Sequence, residues 1–294
     1  MVRTKPGNSR SASLYDPAVA LDFFQSAGKP RTFAKGATIF SASRKGKPSP
    51  RNTICLLLKG EVGIVAKDEL IDTIRAGEIF GERASMGQRP RSASAVANSD
   101  CRVIGLGDRQ FRAALGRNPG FALMLMSIMA NRLRDAIAGG AVSPHAGWRR
   151  AAALDKQLLA DLAQVLGPAA RFRYPAGRIV IREGQVGVGL FVVLKGRVAI
   201  SIGDSLVEKA GPGGVFGEMS LIDRTPRLAT AVAETNCALL AMSRHMFLHL
   251  VKKSPKFGAA LLRAVGERAA FMASRRAERG STSDAPPSAK QRSA

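Results

Sequence analysis

The chain carries one pattern twice. FGERASMGQRPRSASAVA at residues 80–97 returns 136 positions later as FGEMSLIDRTPRLATAVA at 216–233, sharing F-G-E, P-R-x-A and a closing A-V-A. The offset holds around this pair: LKGEVGIV (58–65) faces LKGRVAIS (194–201), and Phe111 faces Phe247. Upstream, FAKGATIF (33–40) faces YPAGRIVI (174–181), and the first copy then carries five extra residues in SASRKGKPSPRNT (41–53). Rich in Ser, Pro and basic residues, that connection reads as a lengthened surface loop. Two copies of ~120 residues are too long for solenoid units and mean a duplicated domain, each copy large enough to bury its own core. Any fold that suits one half must therefore suit the other.

Each copy opens with a helical lead-in, DPAVALDFFQSAG or AALDKQLLADLAQVLG, and then runs through short, β-branched, apolar stretches broken at Lys-Gly and other glycine turns. After SAVANSDCRVIGL and TAVAETNCALLAM the period lengthens to that of helices, interrupted at Pro119 and Pro255. Helix, many short strands, then two helices predict a mainly β fold with flanking helices, a sandwich or jelly roll in each copy. The boundaries expected are a disordered segment at 1–13, a first domain at 14–138 and a linker at 139–150. A second domain follows at 151–275, and a polar basic tail at 276–294 is expected to be disordered.

The polar, basic start lacks the apolar core of a secretory signal. The longest apolar run, FALMLMSIMA at 121–130, is too short to span a bilayer, so a cytoplasmic chain with no membrane partner is expected. Three cysteines without metal-type spacing fit that compartment, and Cys101 and Cys237, at equivalent places, are expected to be small buried hydrophobes. His245 and His249 stand four apart without the glutamate or third ligand of a zinc site, so no metal is expected. The formal charge is +23; the end segments 1–13 and 274–294 contribute +3 each, leaving +17 on residues 14–273. That excess points to anionic partners without saying which.

The repeated stretch carries the chemistry. Between Glu218 and Arg227 lies a short segment able to make about one and a half helical turns, and a helix start presents unpartnered N–H groups to an anion. Pro226 removes one N–H and stiffens the chain before Arg227, whose planar guanidinium can pair two phosphate oxygens. A carboxylate repels phosphate but accepts hydrogen bonds from hydroxyls. Together Glu218 and Arg227 suggest a ligand with both a phosphate and a sugar hydroxyl. A buried Arg–Glu pair that merely fixes a turn is the bland alternative. Its retention in both copies argues against that, since apolar residues often replace such a pair at no loss of stability.

Both stretches resemble the phosphate-binding cassette of cyclic nucleotide-binding domains, F-G-E-[apolar]-[A/S]-L-x-x-x-x-P-R-x-A-[T/S], and the resemblance extends over roughly residues 15–138 and 152–275. It implies two tandem eight-stranded jelly rolls (double-stranded β-helices) holding cAMP, with cGMP as the alternative, and no cofactor. On that resemblance Arg91 and Arg227 clamp the cyclic phosphate and Glu82 and Glu218 take the ribose 2′-hydroxyl. Backbone around Gly81, Arg83 and Ala84, and around Gly217, Met219 and Ser220, completes the nest, followed by Ser92 and Ala93 in copy one and Leu228 and Ala229 in copy two. Leu228 argues against cGMP in site two, because cGMP-selective members tend to carry a hydroxyl there. Copy one departs from the pattern at Arg83 and Ser85, which predicts a less well packed cassette. Candidate base caps are Trp148 for site one and Phe271 or Met272 for site two.

Neither a helix-turn-helix nor a kinase, cyclase, nuclease or channel segment is legible, so the chain reads as a non-enzymatic sensor acting in trans on a protein effector. Two sensor domains without an output domain resemble the regulatory subunit of cAMP-dependent protein kinase. Arg10-Ser11-Ala12-Ser13-Leu14 has the basic-x-x-Ser-hydrophobic spacing of a kinase substrate or pseudosubstrate segment. The competing reading is a basic nucleic-acid-associated protein, recognisable by a steep fall of affinity with salt. Aromatic side chains fall mostly at core positions, which disfavours stacking on single strands.

Overall fold

The computed structural model describes residues 15–42, 53–66, 68–81, 93–138, 142, 149–187, 189–222 and 226–283. In the first copy helix α1 (Pro17–Gln25) is followed by β1 (Pro30–Phe33), β2 (Thr38–Phe40), β3 (Thr53–Lys59), β4 (Glu61–Ala66), β5 (Glu69–Arg75), β6 (Ile79–Phe80), β7 (Ser94–Ala97) and β8 (Cys101–Gly107). Helices α2 (Asp108–Arg117) and α3 (Gly120–Ala136) follow. A two-residue strand β9 (Arg149–Arg150) precedes α4 (Lys156–Leu166). The second copy then runs β10 (Arg171–Tyr174), β11 (Ile179–Ile181), β12 (Gly189–Lys195), β13 (Val198–Ile202), β14 (Ser205–Ala210), β15 (Val215–Phe216), β16 (Thr230–Ala233) and β17 (Cys237–Ser243). Helices α5 (Arg244–Lys253) and α6 (Pro255–Ser283) complete it.

Each copy is an eight-stranded jelly roll of two antiparallel sheets. Copy one orders them β1-β8-β3-β6 and β2-β7-β4-β5; copy two orders them β10-β17-β12-β15 and β11-β16-β13-β14, with β9 added in parallel beside β14. The hairpin registers repeat: Val62 faces Ile74 across β4–β5, and Val198 faces Ala210 across β13–β14. Inward positions of β3, β4, β7 and β8 supply the first sheet core, with Leu57, Val62, Ala95 and Val103 buried; Val193, Val198, Ala233 and Leu239 do the same in copy two.

By contact the chain forms two units, one of residues 1–131, 221–223 and 243–263, the other of residues 132–220, 224–242 and 264–294. These cross the boundaries expected from the repeat: α3 and α6 each begin in the first unit and end in the second. Helix entry follows local rules. Asp16 caps α1 by accepting from the Ala18 N–H at 2.8 Å, with Pro17 at the first turn, and Asp155 caps α4 through the Leu158 N–H at 2.8 Å. In the first unit Phe23 stacks on Phe121 at 3.5 Å and meets Phe111 edge-on at 6.0 Å. Such aromatic pairs stabilise by ~0.5–1.5 kcal/mol beyond their buried area.

Helix α6 runs to Ser283, eight residues beyond the expected end of ordered structure at 275. Low apolar content does not itself stop a helix; Ala and Arg are good helix formers, and the first proline after Pro255 is Pro286. The three cysteines are buried and form no disulfide. Among the described residues no helix is long and apolar enough to cross a membrane, and no group of His, Cys, Asp and Glu could hold a metal.

Candidate functional site

In the second unit the F-G-E stretch leaves β15 through Gly217, whose φ of +75° is a left-handed conformation that glycine adopts without strain. A Cβ there would sit 2.8 Å from Arg227 Nη1 and 2.8 Å from Ile181 Cδ1. The expected cassette helix is a single 3-10 turn, Glu218–Leu221, shorter than the one and a half turns anticipated. Pro226 follows, and then the backbone of Arg227 is pinned: its N–H donates to the Gln185 carbonyl and its carbonyl accepts from the Gly184 N–H, both at 2.9 Å.

Main-chain pinning fixes where the guanidinium points. Nη1 donates to the Gly217 carbonyl at 2.7 Å and Nη2 to the Gly189 carbonyl at 3.0 Å, while a side chain at Gly187 would collide with the guanidinium itself. Burial lowers the affinity of Arg227 for its proton, partly opposed by the nearby Glu218 charge. Even so lowered, a guanidinium stays protonated at any physiological pH.

Glu218 is only 2% exposed and is held by Arg268 of α6 through Nη1. Arg268 also makes a fork with Glu208 of β14, Nε to Oε2 at 3.0 Å and Nη2 to Oε1 at 2.7 Å, and donates to the Val215 carbonyl at 2.8 Å. Arg149 of β9 lies 3.1 Å from the same Glu208 and over the Phe271 ring. Its Nε and Nη2 are buried without a well-aligned hydrogen bond among the described residues, so it is an ion pair more than a hydrogen-bonded one. Burial alone would push the Glu208 carboxyl up; the Arg268 charge and fork, then Arg149, outweigh it and hold it below the usual carboxylate range. For Arg268 burial works the other way and is again outweighed by the two carboxylates, so its proton is held more tightly than usual.

Glu218 and Arg227 open onto one largely apolar cleft. Ile200, Phe216, Leu228 and Ala229 line it, together with Met272 of α6, Leu133 of α3 and Ile137 just after that helix. The free space left inside is about 80 Å³. Ligand sites of drug size run to ~300–1,000 Å³, so the space as it stands is too small for a ligand of that size. A shallower depression in the first unit, at Pro30, Arg31, Thr32 and Arg102, has no carboxylate and no glycine seat, and the geometry does not favour it.

The structure thus brings together Gly217, Glu218, Met219, Arg227, Leu228, Ala229 and Met272. Phe271 is not part of the lining; it turns to Arg149 instead. Ser220 is described only in its backbone. In copy one Gly81 (φ +76°) and Ala93 are described, while Glu82, Arg83, Ala84, Arg91, Ser92 and Trp148 lie outside the described residues. Sequence reasoning missed Arg268, Glu208, Leu133 and Ile137. The repeat held a signal for two of them: Arg132 stands at the 136-residue offset from Arg268, and Asp72 at that offset from Glu208.

A model of the cyclic nucleotide-binding domain matches residues 30–118 and 171–254, more than half of the chain. Among curated proteins, the chain is 28% identical over 66% of its length to the cAMP-dependent protein kinase regulatory subunit of Eremothecium gossypii, covering 38% of that protein. It is 38% identical over 32% of its length to a cyclic nucleotide-gated potassium channel of Rhizobium etli, covering 26% of it. It is 37% identical over 28% of its length to the cyclic AMP receptor protein of Thermus thermophilus, covering 40% of it. The chain therefore spans two fifths or less of the length of these relatives.

Proposed function

Because the chain belongs to the cyclic nucleotide-binding domain family, we propose that it is a sensor whose second copy takes a cyclic nucleotide, cAMP in preference to cGMP, and passes the event to a protein partner. The observation that carries this reading is the seat of Arg227: a half-buried guanidinium held among Gly187, Gly189 and Gly217, sharing one apolar cleft with the buried carboxylate of Glu218. A cyclic phosphate offers charged acceptors in place of the two glycine carbonyls, and charge-assisted hydrogen bonds are roughly twice as strong as neutral ones. Glu218 accepts the ribose 2′-hydroxyl, and Leu228 and Ala229 give the sugar-phosphate an apolar wall with no hydroxyl to prefer guanine. Copy one carries the same pair, Glu82 and Arg91, and takes the same ligand.

The small volume of the cleft links binding to movement. A nucleotide enters only if Met272, Leu133 and Ile137 withdraw and Arg268 shares or gives up its hold on Glu218. Arg268 also holds Glu208, which meets Arg149 at the end of the expected linker, so a change at Glu218 is felt on α6 and on β9 together. The ligand shifts the helix equilibrium only by its difference in affinity for the open and closed forms. Titration calorimetry and thermal shift with cAMP and with cGMP test the reading. At a hundredfold excess over Kd a site bound only in the folded state gains ~2.7 kcal/mol. Absence of heat and of a shift at millimolar concentrations of both nucleotides would reduce the assignment to a shared fold.

A further inference from the structure

The 3-10 turn that Glu218 opens is held at its far end by a helix. Arg244, the first residue of α5, donates from Nη1 to the Leu221 carbonyl at 3.0 Å and to the Ile222 carbonyl at 3.1 Å. The last carbonyls of a helical turn have no partner within it and carry partial negative charge, so a guanidinium placed there acts as a side-chain cap. Leu221 and Ile222 are themselves buried. By contact, residues 221–223 belong with 243–263, whereas the first three residues of the turn, 218–220, belong to the other unit.

Local helix rules do not call for an arginine at this position. The start of a helix favours acidic side chains and disfavours cations. Elsewhere α5 obeys: Ser243 caps it by accepting from the Met246 N–H at 3.3 Å, and Lys252 and Lys253 stand in its last turn. The counterpart of Arg244 at the 136-residue offset is Asp108, the first residue of α2. Asp108 follows the rule and pairs with Arg112 one turn on. An ionised carboxylate only accepts hydrogen bonds and cannot cap a carbonyl. The residues it would have to hold change as well, since Leu221 and Ile222 stand where copy one has Ser85 and Met86. A residue that breaks a local preference and gains a specific long-range contact marks a functional position.

We propose that Arg244 is a positioning residue that ties the ligand-binding turn of copy two to α5, so that a nucleotide settling at Glu218 is reported by α5 and the first turns of α6. Copy one, with Asp108 in that place, lacks the tie. The proposal rests on reading copy two as the nucleotide site. Arg244 acts through the main chain of the turn and not on the ligand. A ligand that shifts the turn pulls on two hydrogen bonds anchored in α5, whose Phe247, Leu250 and Val251 are buried. Phe247 meets Phe257 of α6 edge-on at 5.9 Å, so α5 carries the start of α6 with it. The turn thus reaches α6 by two routes, from Glu218 through Arg268 and from Leu221 through Arg244 and α5. Close-packed side chains transmit such shifts because they leave no slack.

Hydrogen exchange of the full chain with and without saturating cAMP, alongside titration calorimetry, tests this. In the wild type cAMP is expected to change the exchange rates of amides in residues 245–260 by about threefold or more. Arg244→Asp gives α5 the first-turn residue that α2 already has. It is expected to keep the helix and the heat of binding, to weaken cAMP at copy two by about threefold to tenfold, and to lose the exchange response. Arg244→Met, which keeps the stem and drops the donors, should do the same, so the test survives if one variant fails to fold. Arg244→Lys, still able to donate to both carbonyls, should retain the response. Heat of binding with no change over 245–260 in the wild type overturns the inference and leaves the nucleotide reading standing. So does a response in Arg244→Asp and Arg244→Met as large as in the wild type, which would route it through Arg268 or through copy one. No heat from the wild type removes both.

Discussion

The two copies agree at one end of the jelly roll and part company at the other. At the Lys-Gly corner they are nearly superimposable in chemistry. Gly60 and Gly196 have φ of +93° and +89°, and a Cβ on either would lie 2.5 Å from a carbonyl, of Asp100 or of Asn236. Cys101 and Cys237 fill the same spot, their thiols 3.1 and 3.2 Å from the carbonyls of Glu61 and Arg197. At the β5 and β14 strands the copies diverge. Asp72 is exposed, whereas Glu208 is 2% exposed inside a cluster with Arg149, Arg268 and Glu218. The corner is made by two short segments about forty residues apart, both of which recur at the same offset, so it recurs wherever the sequence recurs. The strand environment is made by whichever helix or strand arrives from elsewhere, and in the second unit those are β9, the end of α3 and the latter half of α6.

The largest test of this contrast is Glu208→Gln, which leaves Arg268 and Arg149 short of a buried counter-charge and is expected to cost ~3–5 kcal/mol in denaturant unfolding. A loss under 1 kcal/mol would mean that the cluster does not organise the second unit. The variant also changes the acid limb. Because the folded Glu208 carboxyl titrates below its unfolded value, near ~4.3, its stabilisation is complete above that pH and is lost as pH falls through the lower folded value. The wild type therefore loses stability over that acidic window, and Glu208→Gln lacks that component.

Next in size is Arg227→Lys. Lysine cannot make the fork between two acceptors, and the substitution is expected to weaken cyclic nucleotide binding at copy two by ~2–5 kcal/mol, read by calorimetry, while leaving the unfolding midpoint without ligand close to wild type. Unchanged affinity in both sites would remove Arg227 from the ligand contact. Gly60→Ala and Gly196→Ala probe the shared corner: each forces an L-residue into a left-handed conformation against a backbone oxygen, at ~1–3 kcal/mol, and the two should agree closely. A large disparity between them would show that the corner is less alike than its geometry. Smallest is Asp72→Asn, the positional counterpart of Glu208→Gln. At an exposed site it should change stability by less than ~1 kcal/mol, and a loss as large as that of Glu208→Gln would break the contrast outright.

Much of the site was legible before any coordinates. The F-G-E and P-R-x-A spacings marked Gly217, Glu218, Arg227 and Ala229, all of which line the cleft. The reason is proximity: nine residues and one proline hold the two functional side chains on a single loop. The caps were harder. Met272 reached the cleft and Phe271 did not, because neighbours on a helix point about 100° apart and only the packing of α6 decides which faces in. Leu133 and Ile137 carry no local mark of a ligand site, and α3 looks like an ordinary core helix along its whole length.

Residue order alone marked the duplication, the glycine turns and the spacing of Glu218 and Arg227, and through the family resemblance the jelly-roll class, since each depends on residues close in sequence or on a pattern compared with its own repeat. Tertiary structure decided that Arg268 holds Glu218, that Glu208 is buried with two arginines and that Leu133 of α3 lines the cleft. Those choices depend on where long helices come to rest, which is a balance of many weak contacts far apart in the chain. No short window of sequence contains that balance.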